Sequence, residues 1–226
     1  MPKEERAHKP PVPPEPDFLP RVRPAYTPEQ EATLEGLQAD LVSRMGEAKP
    51  KRLAHSLSVA RTAEAMALAY GADPFCARCA GILHDWDKVL SARGQVDLAR
   101  DLGVDLGVDL DLVQPLLHGI TASLELPGRY PQLPPAVWRA IRLHTIGAAD
   151  MTPLDQVVFV ADGIEPLRRP APDIQEARRM VAQGQPLGQV FLHMFASGIG
   201  YVVETRRYLY PGTIDIYNQL VTQGTR

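Results

Sequence analysis

The stretch Ala80-Gly81-Ile82-Leu83-His84-Asp85-Trp86-Asp87-Lys88 decides how the rest of this sequence is read. It closes an apolar helical segment opening at Asp73-Pro74, and its end sets a histidine beside an aspartate. An imidazole nitrogen and a carboxylate oxygen at consecutive positions can converge on one metal ion where a helix ends. Alone the dipeptide is a weak signal, because His-Asp recurs by chance. Its weight comes from its company. His55 lies upstream in KRLAHSLSVA, while His118 in LLHG, His144 in LHTIG and Asp162 in FVADGIEP follow it.

Outward from this stretch the periodicity is helical nearly everywhere. Thr27-Pro28-Glu29-Gln30 has the form of a capping box and opens a helix to about Met45. Residues 50–69 carry an inner stripe of His55, Val59, Thr62 and Met66, flanked by Leu53, Leu57, Ala60 and Glu64. Asp73 and Pro74 read as the N-cap and first residue of a helix running to about Leu90. Shorter helices are expected at 95–102, 110–124 and 135–145, and Thr152-Pro153 starts one that ends near Pro166. Segments 173–183, 187–209 and 213–222 complete the array. The near-duplication GVDLGVDLD is too short to be a structural repeat. No run alternates with period two beside turn chemistry, so the expected fold is all-α. Residues 1–26 carry eight prolines mixed with charge and read as a disordered, solvated arm. Residues 27–226 read as a single domain.

Composition narrows the classes. At 226 residues and 45% hydrophobic content the chain buries one good core. A net charge of −3 gives no whole-chain footprint for nucleic acid. There is no apolar run of membrane-spanning length and no signal-peptide core in MPKEERAHKP, so a cytoplasmic protein is expected. Cys76 and Cys79 lie on one inward face of their helix with no second C-x-x-C, and read as packed thiols.

His55 shares a helix face with Arg52 and Val59, and His144 with Ile141. A lone histidine on an apolar face is more often a hydrogen-bonded core residue than a ligand. Asp162 changes that balance, because it stands amid Val157, Val158, Phe159, Val160 and Ala161. A carboxylate buried there costs several kcal/mol unless it is paired or holds a metal. Six such residues buried separately make a poor core, whereas gathered round a metal they satisfy one another. The mixed nitrogen and oxygen set suits iron, manganese, zinc or cobalt more than calcium or magnesium.

The order His55, His84-Asp85, Asp162 resembles the H…HD…D ligand set of the HD metal-dependent phosphohydrolases. The phrases KRLAHSLSVA, AYGADP, AGILHDWDK, LLHG, HTIG, FVADGIEPLRR and LYPGTIDIYNQL resemble a narrower family, the bacterial YqeK-type symmetrical bis(5′-nucleosyl)-tetraphosphatases. The likeness spans about residues 49–222. Gly163 departs from it, since the family more often has a bulky aromatic there, and a local packing change is expected. The resemblance implies an HD-domain helical array that splits diadenosine tetraphosphate, or related dinucleoside polyphosphates, into two ADP. It implies a divalent transition metal, iron ahead of manganese, zinc or cobalt, on His55, His84, Asp85 and Asp162. His118 and His144 stay open between a second metal and the substrate phosphates. A homodimer is left open as well.

A polyphosphate needs cations beside the metal, because charge builds on the leaving oxygen. Lys88 lies four residues after His84 and shares its face if the helix persists, with Asp87 placed to orient Lys88 or a ligand. Arg168, six residues past Asp162, and Arg52, one turn before His55, suit bidentate phosphate contact. Arg169, Arg206 and Arg207 are weaker candidates. Metal-assisted hydrolysis is the expected chemistry, with His118, His144, Lys88 and Arg168 on the phosphate oxygens. Asp85 or a nearby carboxylate takes the proton from water, with the base unassigned. The alternatives are another HD nucleotide phosphohydrolase, or a nucleotide-binding regulatory module without turnover.

Overall fold

Prolines and capping side chains open most of the helices of this chain, whose computed structural model describes residues 13–223. The Thr27 hydroxyl accepts from the Gln30 amide while the Gln30 side chain answers the Thr27 N–H, and helix α1 (Pro28–Met45) follows. Helices α2 (Pro50–Tyr70), α3 (Pro74–Leu83), α6 (Pro135–Ile146), α7 (Pro153–Ile164) and α8 (Pro172–Ala182) each begin on a proline. Proline suits that position because its missing N–H would have had no partner there. The remaining helices are α4 (Ala92–Asp101), α5 (Gln114–Arg129), α9 (Leu187–Glu204) and α10 (Pro211–Gln223). No strand occurs among the described residues, in line with the expected all-α fold. None of the helices found there is long and apolar enough to cross a membrane.

Several expected boundaries move. The helix from Asp73 ends at Leu83 rather than Leu90, and a 3-10 turn takes over at Trp86–Val89. Arg44 holds that turn, its Nε donating to the Trp86 carbonyl at 2.8 Å and its Nη2 to Asp87 at 3.1 Å. The helix expected at 110–124 is shifted to Gln114–Arg129. Residues 110–113 instead close turns anchored on Asp109, which accepts the Asp111 N–H. The long helix from 187 stops at Glu204, before Arg206 enters the left-handed region at φ 54°.

Helix α2 is the spine, packed on α3 and α7, while α5 lies along α6 and α6 along α7. Two glycines set the closest approaches. A Cβ on Gly81 of α3 would fall 2.5 Å from the Ala60 Cα of α2, and one on Gly119 of α5 would fall 2.7 Å from the Ile141 carbonyl of α6. Any larger residue would push these pairs apart, and with them the histidines that each pair carries. At Gly163 the expected packing change takes a definite form. The methyl of Met194 on α9 fills the space where a side chain would stand.

The proline-rich arm calls for a correction over 13–26, while its first twelve residues lie outside the described ones. Leu19 is 7% exposed and belongs to the main core. Phe18 lies under the Arg178 guanidinium, and the Tyr26 hydroxyl donates to Glu64 at 2.6 Å. Prolines keep this segment extended, while Phe18, Leu19 and Tyr26 supply the apolar groups that dock it. Removing residues 1–26 is therefore expected to destabilise the protein by at least about 2 kcal/mol, the scale of one buried leucine. The unfolding midpoint should fall by roughly 4–8 °C in a thermal melt. An unchanged midpoint would show that these contacts add nothing.

Candidate metal centre

Four imidazoles from four helical segments meet between α2, α5, α6 and α7, and three of them are oriented by the same device. The Nδ1 of His84, just past the end of α3, lies 2.8 Å from the Gly81 carbonyl. That of His118 on α5 lies 3.0 Å from the Pro115 carbonyl, and that of His144 on α6 lies 2.6 Å from the Ile141 carbonyl. Each carbonyl belongs to the residue three positions earlier. His55 on α2 uses Glu165 instead, at 3.0 Å from Nδ1. Carbonyls and carboxylates only accept, so Nδ1 carries a proton in each ring, and in the neutral ring Nε2 is left with its lone pair.

Those lone pairs point at one another and at two carboxylates. His55 Nε2 lies 2.9 Å from Asp162 and 3.6 Å from Asp85. His84 Nε2 is 3.4 Å from Asp85 and 3.7 Å from Asp162. His118 Nε2 is 3.1 Å from both Asp85 and His144 Nε2. The Nε2 atoms of His55 and His84 are buried without a hydrogen-bond partner. Acceptors crowded together in this way repel unless a cation or protons sit among them. Two groups have the spacing to hold an ion, His55 with His84 and Asp162, and His84 with Asp85 and His144. The donor set therefore fits a nitrogen- and oxygen-preferring divalent metal, with Nδ1 contacts of the kind that orient metal-bound histidines.

Around this centre opens a cleft of about 310 Å³ whose wall includes Arg52, Lys88 and Arg168. Lys88 reaches it although α3 has ended, because the 3-10 turn donates the Lys88 N–H to the Asp85 carbonyl at 2.9 Å. Arg52 donates to Asp85 at 2.7 Å and Arg168 to Asp162 at 2.5 Å, so each guanidinium neutralises one of the two carboxylates. An adjoining groove adds Lys51 and Arg169 to the same two arginines. Arg207 stands elsewhere, over the Tyr201 ring. Asp87 does not face Lys88. It accepts from Arg44 and from Thr121 at 2.6 Å, tying the turn to α5 one turn beyond His118.

The HD-domain family model matches residues 52–167, a span that begins on the wall of this cleft and ends on that of the adjoining groove. The chain belongs to the HD-domain family. It is 31% identical to a symmetrical bis(5′-nucleosyl)-tetraphosphatase of Staphylococcus aureus, over 74% of this chain and 86% of that protein. A protein of the same description from Halalkalibacterium halodurans is 28% identical, over 76% of this chain and 90% of its own. Among solved structures, a predicted HD superfamily hydrolase involved in NAD metabolism from Clostridium acetobutylicum superposes with a TM-score of 0.75 at 29% identity. The match covers 84% of this chain and 97% of that one.

Electrostatics in the HD domain follow from the burial of so many acceptors. Burial favours neutral Asp85 and Asp162, but His84 and His118 around the first, and Arg168 and His55 around the second, hold both well below the usual carboxylate range. His144 is pushed down to about 3 by burial and by the neighbouring His84 and His118. Burial likewise lowers Lys88, helped by Arg52 and Arg168 and opposed by Asp85 and Asp162. His55 goes the other way. Burial would lower it, yet its contacts with Asp162 and Glu165 raise it to about 9. Cys76 is pushed up to about 12 by burial, in line with a packed rather than reactive thiol.

Glu165, Arg44 and Thr121 were not among the sequence candidates. For Glu165 a signal existed, a carboxylate three residues after Asp162 at the end of an apolar helix. Arg44 and Thr121 carried none.

A histidine raised to about 9 is mostly charged at pH 7.5, whereas a metal needs the neutral ring. Uptake of Mn²⁺ or Co²⁺ by the metal-free protein at pH 7.5 is therefore expected to release about one proton per ion. Affinity should climb as pH rises toward about 9. Titration calorimetry in two buffers of different ionisation enthalpy reads the proton count. Glu165→Gln should reduce it, and no release at pH 7.5 would contradict the assignment of His55.

Proposed function

We propose that this HD-domain hydrolase cleaves diadenosine tetraphosphate, and related dinucleoside polyphosphates, symmetrically into two ADP. The observation that carries the reading is a single cleft joining an acceptor-only centre to three cationic side chains, Arg52, Lys88 and Arg168. Water activation and phosphate binding each need one of these halves. The substrate is that of the Halalkalibacterium and staphylococcal relatives named above, whose lengths are matched nearly end to end.

His55, His84, Asp85 and Asp162 would hold the ion, iron being the first choice and manganese, zinc or cobalt the alternatives. His144 shares the spacing of His84 and Asp85, which favours a second ion held with His118 over a purely phosphate-binding role for the pair. The chemistry that such an ion supplies is a lowered pKa of water, from about 15.7 toward 7, and so a nucleophile at neutral pH.

The remaining work falls to the chain. Arg52 and Arg168 already sit on the carboxylates that a metal would claim. Once those charges are taken up elsewhere, both guanidiniums are free to clamp phosphate oxygens in the bidentate manner that suits them. Lys88 lies on the same wall as a point charge for the oxygen that gains charge as the bridge breaks. Asp85 or a nearby carboxylate would take the proton of the attacking water. Attack at one of the two inner phosphorus atoms makes ADP the leaving group and leaves ADP on the attacked side.

Diadenosine tetraphosphate should accordingly give ADP alone, and in water enriched with heavy oxygen one ADP of each pair should carry label. AMP with ATP among the products would mean that an outer anhydride bond breaks in place of the central one and would end the symmetrical reading. Asp85→Ala is expected to lose both metal and turnover. Lys88→Ala should keep its metal by elemental analysis yet slow hydrolysis by roughly 10²-fold, the scale of one preorganised donor. Metal lost from Lys88→Ala would instead make the lysine structural.

A further inference from the structure

The metal cleft does not end at its own cations. A groove of about 580 Å³ continues from Arg52 and Arg168, which line both spaces, and it adds Lys51 and Arg169. His55 lines it too, so the groove leads up to the metal centre. A further hollow at Lys49, Pro50 and Lys51 prolongs it along the start of α2. Arg52 and Arg168 are committed to Asp85 and Asp162, whereas Lys51 and Arg169 form no ion pair among the described residues. The acid of the lining, Glu165, is 1% exposed and engaged with His55 and with the Leu167 N–H at 2.6 Å. The outer part of the groove therefore presents positive charge with no exposed acid beside it. Its wall is also fixed. Arg178 donates to the Ile164 and Glu165 carbonyls at 2.8 and 2.7 Å, and the Arg168 N–H returns to the Glu165 carbonyl at 3.0 Å, which sets the turn leading to Arg169.

We propose that this groove holds the phosphates of the departing half of the substrate, with Lys51 and Arg169 as its binding cations. The assignment rests on the reading above that the substrate is a dinucleoside polyphosphate. In-line displacement sets the leaving oxygen opposite the attacking water, so the departing half points away from the ion. It carries negative charge on each phosphate, and the wall of the metal cleft formed by Pro115, Leu116 and Thr145 has no charged side chain to meet it. The groove has two unpaired cations beyond Arg52 and Arg168, and guanidinium and ammonium groups are the usual partners of phosphate oxygens. A single nucleotide at the metal centre has no use for Lys51 or Arg169, whereas a bridged substrate reaches both. These two residues thus separate the binding of a whole dinucleotide from that of one ADP.

The probe is diadenosine tetraphosphate with a methylene group in place of its central bridging oxygen, which resists hydrolysis at the bond to be cleaved. The full-length, metal-loaded protein is titrated with this analogue and, separately, with ADP. Low ionic strength is used, since salt screens contacts to exposed cations. The parent protein is expected to bind the analogue more tightly than ADP. Lys51→Ala and Arg169→Ala should each weaken the analogue roughly tenfold, the scale of one charge-assisted hydrogen bond, and leave ADP unchanged. Both side chains are exposed, so neither truncation opens the core, and an unchanged unfolding midpoint checks this.

Analogue binding untouched by both variants would overturn the proposal, and so would equal affinity of the parent for the analogue and ADP. Parallel weakening of the two ligands would also overturn it, by tracing the effect to the metal centre. None of these titrations depends on turnover. Failure of the parent to hydrolyse authentic diadenosine tetraphosphate would sink the proposed activity and leave the groove's result standing.

Discussion

Everything in this fold is arranged round one electrostatic conflict: four imidazole lone pairs and two carboxylates turned toward the same small volume. Left to themselves these groups would separate or protonate. The conflict is eased by Arg52 on Asp85, by Arg168 on Asp162, and by the carboxylates that raise His55 and so favour its protonated ring. The positive charge that a metal would bring is thus already represented, in pieces, by side chains that line the cleft. Such a centre is held by its surroundings, because the pairing of its buried charges does little more than offset the cost of taking them out of water.

The surroundings are close-packed helices. Gly81 lets α3 lie against the backbone of α2 and so brings His84 within reach of His55. Gly119 does the same for α5 and α6, setting His118 against His144. The Arg44 clamp on the turn after Asp85 is the third support. It reaches from α1, so that the first helix of the domain steadies the loop carrying Lys88.

Much of this was legible in the sequence, and the reasons are local. Thr27 with Gln30, and the prolines opening α2, α3, α6, α7 and α8, act within one turn of the chain, so helix starts could be read directly. The ligand order could be read because buried histidines and aspartates are expensive and conspicuous among apolar residues. Contacts between distant residues could not. The break after Leu83 depends partly on Arg44, some forty positions away. The docking of Leu19 depends on a core that its own neighbours do not announce, and a proline-rich composition pointed the other way. Glu165 sat in plain view inside a recognised phrase, but only the fold shows it beneath His55.

The backbone carbonyls that receive the three Nδ1 protons also bear on entropy. Fixing a free side chain on binding costs about 0.5–1.5 kcal/mol. Here the rings of His84, His118 and His144 are fastened to their own helices, and His55 to Glu165, before any ion arrives. Several kcal/mol of ordering is thereby charged to folding and not to capture. The consequence is a cage whose ring orientations are set by the fold's own hydrogen bonds, unlike the small zinc modules whose folding waits for their metal.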